Sequence, residues 1–136
     1  MNRILKAIAS VSAAAFLLLP AANANTVVCK NQKVKKVSRL CVFLIDQSGA
    51  PVPNATLQAF DGEKKVAEGI TGNDGKFSFD GLPRGTYQVR IRAGSFKDDA
   101  IQIAVTNSSS KCDHDVEVLL YVTSIACPGS YRLVKP

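Results

Sequence analysis

Residues 71–89 read TGNDGKFSFDGLPRGTYQV, and this stretch combines two tight turns with three aromatic side chains. The letters NDG and GLPRG mark the turns, because Asn, Asp and Gly tolerate positive φ and Pro fixes its own φ. Phe77 and Phe79 alternate after the first turn, so both side chains point to one face of a strand. Tyr87 follows the second turn. The stretch therefore predicts short strands that place aromatic rings in a core.

Similar strand-like segments, separated by turn residues, continue on both sides of this stretch. In the segment 86–93, apolar side chains alternate with polar ones, and Arg90 and Arg92 fall on the polar face. One buried and one wet face is typical of antiparallel sheets. We expect seven strands at 40–46, 55–60, 65–70, 76–79, 86–93, 101–105 and 115–123. These strands predict an all-β, antiparallel Greek-key sandwich of about seven strands.

Three sets of residues in this region resemble the carboxypeptidase regulatory-like domain family. The resemblance covers residues 40 to about 105. It rests on a D-x-x-G-x-P-x-x-x-A start, a T-x-x-D-G-x-F-x-F hairpin and an L-P-x-G-x-Y strand entry, which begin at Asp46, Thr71 and Leu82. The resemblance implies a transthyretin-like or starch-binding-like β-sandwich. It implies little about function, because members of the family serve as accessory modules on many proteins.

The first 24 residues are predicted to be a bacterial secretory signal peptide. Arg3 and Lys6 form its positive start, an apolar run follows at 7–19, and Ala22-Asn23-Ala24 is a cleavage pattern. The apolar run is shorter than the roughly 20 residues that span a bilayer. We expect a periplasmic or secreted protein without a membrane span. Its parts are a signal peptide at 1–24, a basic N-terminal arm at 25–39, the sandwich at 40–127 and a C-terminal tail at 128–136.

Four cysteines in a short exported chain predict two disulfides. An extended strand at 115–123 places Cys112 and Cys127 farther apart than the Cα–Cα distance of a disulfide allows, which disfavours that pair. In the resembled fold the first and last strands lie side by side and parallel, which implies the pairs Cys41–Cys112 and Cys29–Cys127. The pairs Cys29–Cys112 and Cys41–Cys127 remain the alternative.

The sequence offers few residues for catalysis or metal binding. It has one histidine, His114, and no C-x-x-C pair, so we expect no metal, no cofactor and no enzyme activity. The hydroxyisourate hydrolases share the transthyretin-like fold, and a small hydrolase of that kind is the alternative from another class. Those enzymes use several histidines and end in Tyr-Arg-Gly-Ser, whereas this chain has Gly-Ser-Tyr-Arg at 129–132.

We therefore expect a non-catalytic binding or structural interaction module of the cell envelope. Its partner is a protein or a glycan, and a carbohydrate-binding module is the alternative within binding. The candidate binding residues are Phe60, Arg90, Arg92 and Tyr131, because two are aromatic residues expected at the surface and two share a polar strand face. Nucleic acid is not expected, since no aromatic residues interleave the basic run at 30–39. We expect a monomer.

Overall fold

The computed structural model describes residues 33–106, 111–123 and 127–136, and these residues form two β-sheets. The five-stranded sheet has the order β1-β7-β6-β3-β4, and the four-stranded sheet has the order β5-β2-β8-β9. Within these residues no helix is long and apolar enough to cross a membrane. The strands are β1 (Lys35–Val37), β2 (Cys41–Ile45), β3 (Thr56–Asp61), β4 (Lys64–Ile70), β5 (Lys76–Ser78), β6 (Gly85–Arg92), β7 (Asp99–Val105), β8 (Asp115–Leu119) and β9 (Arg132–Val134).

The all-β prediction is confirmed, but the prediction of purely antiparallel sheets is wrong. β1 pairs with β7 in parallel, and β2 pairs with β8 in parallel, so both sheets are mixed. The seven expected strands correspond to β2–β8, and β1 and β9 are additional. Each additional strand has only three residues. A segment of that length is too short for alternation to reveal it.

The core lies between the two sheets and follows the predicted alternation. On β6, Tyr87, Val89 and Ile91 are buried, whereas Arg90 and Arg92 face solvent. On β7, Ile101 and Ile103 are fully buried. Side chains of both sheets meet there, including Leu44, Val116 and Val118 from the four-stranded sheet and Leu57 and Ala59 from the five-stranded sheet.

The last predicted strand ends earlier than the sequence suggests. β8 stops at Leu119, and the N–H of Leu120 donates the last hydrogen bond to the carbonyl of Ile45. The carbonyl of Tyr121 instead accepts a hydrogen bond from the N–H of Lys97, in the loop before β7. The chain therefore leaves the sheet after Leu120, and Val122, which falls within the expected strand 115–123, is 50% exposed.

The structure contains the Cys41–Cys112 disulfide that the resemblance implied. The two Cα atoms are 6.0 Å apart across 71 positions of sequence. The bond is possible because β2 and β8 run parallel, which brings their starting ends together. Cys127 is also disulfide-bonded. Cys29, its partner in the favoured pairing, lies outside the described residues, and the pair Cys41–Cys127 is excluded.

Candidate functional site

A stacked pair, Phe60 and Arg90, lies on the outer face of the five-stranded sheet. β3 and β6 are antiparallel, with Gln58 opposite Arg90 and Phe60 opposite Gln88. The central guanidinium carbon of Arg90 is 3.8 Å from the centroid of the Phe60 ring. The Nε of Arg90 also donates a hydrogen bond of 3.0 Å to the Oε1 of Gln88. Phe60 lies on the outer face of β3, as strand parity predicts, and its ring is half-buried there.

Glu68 and Gln58 form a second polar group on the same face. β4 places Glu68 opposite Gln58, whose Nε2 donates a hydrogen bond of 3.0 Å to the Oε1 of Glu68. The Nζ of Lys65 lies 3.1 Å from the other carboxylate oxygen. These two donors lower the pKa of Glu68 below its ordinary value. Glu68 is therefore ionised at neutral pH, and it holds the amide of Gln58 in one orientation.

Arg92 and two aspartates border the same face at the start of β7. The Nε of Arg92 is 3.3 Å from the Oδ2 of Asp98, and both side chains are mostly exposed. Asp99 is only 7% exposed. Its Oδ1 accepts hydrogen bonds from the N–H groups of Ala100 and Gly129, at 2.8 and 2.9 Å. Asp99 therefore fastens the C-terminal segment beside the sheet.

These groups surround a depression on the outer face of the five-stranded sheet. Its volume is about 640 Å³, which is in the range of sites for small ligands. Thr56 and Gln58 line it, and Phe60 follows them on the same face of β3 because side chains of a strand alternate. The depression is lined by Thr56, Gln58, Glu68, Arg90, Ile91, Arg92, Asp98, Asp99, Ala100 and Pro128. We call this surface the polar depression.

Tyr131 is not at the surface, and its predicted exposure is wrong. It is 8% exposed and packs against the core. Its hydroxyl accepts a hydrogen bond from the N–H of Lys35 at 2.9 Å and donates one to the carbonyl of Gln102. The Nζ of Lys35 reaches the carbonyl of Tyr131 at 3.0 Å. Tyr131 thus joins β1 and β7, and it is a structural residue.

We predict that Tyr131→Phe lowers the free energy of unfolding by about 1–2 kcal/mol, because the N–H of Lys35 loses its acceptor in a partly buried position. Urea unfolding followed by circular dichroism measures this loss. Tyr121→Phe is a matched control, since Tyr121 is only partly buried. An unchanged unfolding midpoint for Tyr131→Phe would contradict the assigned hydrogen bonds.

The remaining sequence candidates lie apart from the polar depression. His114 is in the turn before β8, where its Nδ1 is 3.4 Å from the Oδ2 of Asp113. Among the described ranges, no three potential metal ligands come together. In the basic run, Lys35 packs on Tyr131 and Arg39 pairs with Asp80, so two of these charges belong to the fold. Lys30 of that run lies outside the described residues.

The structure brings Phe60, Arg90 and Arg92 together and adds neighbours that the sequence analysis missed. Gln58 and Glu68 are the most important of these, since their hydrogen bond organises the surface. Gln58 carried a usable signal, because it lies two positions before Phe60 and therefore shares its face. Gln88 likewise shares a face with Arg90. Glu68 carried no such signal, because its position depends on the pairing register of β3 and β4.

The fold and the polar depression define a two-sheet β-sandwich with a ligand-sized hollow on one outer face. The model of the carboxypeptidase regulatory-like domain matches residues 40–118, which is more than half of the chain. The chain belongs to the carboxypeptidase regulatory-like domain family. Among solved structures, the 5-hydroxyisourate hydrolase of Klebsiella pneumoniae is 17% identical with a TM-score of 0.49, over 79% of this chain and 99% of that chain. This likeness carries no inference about function. A search of curated proteins finds no match.

Proposed function

We propose that the protein is an exported, non-catalytic binding module of the bacterial cell envelope that takes a glycan in the polar depression. The observation that carries this proposal is the depression itself, about 640 Å³ in volume, with amide, hydroxyl, carboxylate and guanidinium groups around it. Sugars present closely spaced hydroxyl groups that donate and accept hydrogen bonds. A surface of mixed polar groups beside an aromatic ring matches that chemistry.

The side chains of the polar depression are held in place before any ligand arrives. Gln58 is fixed by Glu68, and Arg90 is fixed by the amide of Gln88, which lies beside the lining residues. Because these side chains are already ordered, a ligand loses less free energy in immobilising them. The free face of Phe60 is limited, since Arg90 covers the ring. Recognition therefore relies on hydrogen bonds more than on stacking of the sugar against an aromatic ring.

A protein partner that adds a strand to β4 is the competing interpretation. β4 is an edge strand, and Val66 and Ile70 are exposed at 39% and 60%. However, Lys64 and Lys65 lie at the start of this strand, and its pairing with β3 contains a register shift. Charged residues and bulges are the features by which natural edge strands avoid pairing with other chains. The edge of β4 is therefore a less suitable binding surface than the polar depression.

Two further observations support the other parts of the proposal. The hydrogen bonds from Gln58 and Lys65 lower the pKa of Glu68, so this carboxylate holds neighbouring side chains of the surface in place. The Cys41–Cys112 disulfide is typical of an oxidising compartment, such as the periplasm or the extracellular space. Both fit a binding module that works outside the cytoplasm.

The proposal is tested by titrating the purified protein with a panel of soluble envelope oligosaccharides. Calorimetry measures the affinity, and backbone amide NMR locates the binding surface. We expect at least one of them to bind and to shift amide signals of β3 and β6. The double variant Gln58→Ala with Gln88→Ala should weaken binding by about tenfold, because a lining amide is lost and Arg90 loses the amide that orients it. Ser78→Ala, on the four-stranded sheet, is the control and should bind like the unmodified protein.

Two results would contradict the proposed function. The first is the absence of binding to every oligosaccharide in the panel. The second is binding whose NMR shifts fall on the edge of β4 or on the four-stranded sheet, with affinity unchanged in the double variant. Shifts confined to β4 on addition of envelope proteins would favour the strand-addition interpretation instead.

A further inference from the structure

The carboxylates around the polar depression are all engaged, whereas Arg90 has no carboxylate partner among the described residues. Glu68 is paired with Lys65, and Asp98 is paired with Arg92. Asp99 accepts two backbone N–H groups. In the part of the chain that the structure describes, the hydrogen bond and the ring contact of Arg90 are both to neutral groups, the amide of Gln88 and the ring of Phe60. Within the described residues, the terminal NH₂ groups of Arg90 are therefore charged donors at the depression that no carboxylate accepts.

The position of the Arg90 guanidinium is fixed from two sides. Its central carbon lies over the Phe60 ring, 3.8 Å from the ring centroid, an arrangement in which the positive charge is attracted to the face of the ring. Its Nε is used by Gln88, so the two terminal NH₂ groups keep their donors. These groups form the planar fork that binds carboxylate or phosphate through two parallel hydrogen bonds.

We propose that Arg90 forms an anion subsite of the polar depression and that the preferred ligand is a glycan carrying a carboxylate or phosphate group. This inference rests on the proposed function, since it names the chemical class of the ligand at the same surface. A neutral hydroxyl would use only part of the fork and would leave the charge uncompensated. The two oxygens of a carboxylate or phosphate accept from both arms of the fork and also compensate its charge. Hydrogen bonds between two charged groups are roughly twice as strong as neutral ones.

Arg92 provides a matched comparison on the same strand face. It lies two positions after Arg90 and has the same charge, but it already has Asp98 as a partner. An anion that contacts Arg92 must compete with that carboxylate. If anions were attracted only by the net charge of the protein, replacing either arginine would weaken their binding equally. A specific subsite at Arg90 predicts a larger loss for Arg90 than for Arg92.

The test compares acidic sugars with neutral counterparts of the same shape at roughly physiological ionic strength, where general attraction is screened. The carboxylate arm uses trigalacturonate and its methyl ester, and the phosphate arm uses mannose 6-phosphate and mannose. We expect an acidic member to bind about tenfold more tightly than its neutral counterpart. Arg90→Gln should abolish this preference, and Arg90→Lys should retain only part of it. Arg92→Gln should keep a larger preference than Arg90→Gln does.

The Nε–H signal of Arg90 in NMR spectra gives a second, independent measurement. Acidic ligands should shift this signal, and Phe60→Leu should reduce the acidic preference because the guanidinium loses its support. All these variants change surface side chains, and circular dichroism checks that they are folded.

The possible failures are distinguishable. If oligosaccharides bind at β3 and β6 without any preference for acidic members, the anion subsite is wrong and the glycan-binding function stands. If mannose 6-phosphate shifts the Arg90 signal but no oligosaccharide binds, trigalacturonate included, the anion subsite stands and the glycan function is wrong. If the preference disappears in Arg92→Gln and persists in Arg90→Gln, the assignment to Arg90 is overturned.

Discussion

Replacing Cys41 and Cys112 together with alanine is expected to lower the free energy of unfolding by about 4 kcal/mol. The disulfide closes a loop across 71 positions, and loops of this length lose much conformational entropy in the unfolded chain when they are cross-linked. A loss of this size is a large part of the total stability of a small domain. Guanidinium unfolding followed by circular dichroism measures it.

The same experiment contains a check on the mechanism. Without the cross-link the unfolded chain is more expanded, so the dependence of the unfolding free energy on denaturant should become steeper. Ser78→Ala, next to the sulfur of Cys112, is the matched control and should leave both quantities nearly unchanged. A double alanine variant with an unchanged unfolding midpoint would show that this disulfide does not restrict the unfolded chain.

Most of the sandwich could be predicted from the sequence because its strands are marked at both ends. Turn residues separate them, and alternation within strands such as β6 identifies the buried face. β1 and β9 could not be predicted, since three residues do not establish a period. The parallel pairing of β2 and β8 could not be derived from the residues alone either. The resemblance to a known family supplied it, and with it the Cys41–Cys112 pair.

Strand parity, the alternation of side chains between the two faces of a strand, is the part of the candidate site that could be predicted from the sequence. Parity identified Phe60, Arg90 and Arg92 as residues of outer faces. It could not place Arg90 over Phe60, because that contact depends on the register between β3 and β6. Tyr131 was misplaced because it lies in an irregular segment after Cys127, where no periodicity separates inside from outside. Its burial depends on hydrogen bonds to Lys35 and Gln102, which are distant in sequence.

The second large effect is expected for Gly75→Ala, which should lower the free energy of unfolding by about 3 kcal/mol. Gly75 has a φ of 71°, a conformation that side chains other than glycine rarely adopt. Its backbone also lies against β2, where its carbonyl accepts a hydrogen bond of 2.8 Å from the N–H of Leu44. A Cβ at this position would come within 2.6 Å of the carbonyl oxygen of Leu44 and 3.0 Å of the backbone nitrogen of Val52.

Gly62→Ala separates the two causes of this loss. Gly62 has a similar φ of 60°, but a Cβ there would meet nothing within 4 Å. We expect this control to lose about 1 kcal/mol, which is the conformational term alone. The difference between the two variants measures the steric conflict of residue 75 with the backbone of β2, which cannot be relieved by rotating a side chain. Equal losses in urea unfolding would mean that the turn does not pack against β2 in solution, and the close approach of these segments would then have to be abandoned.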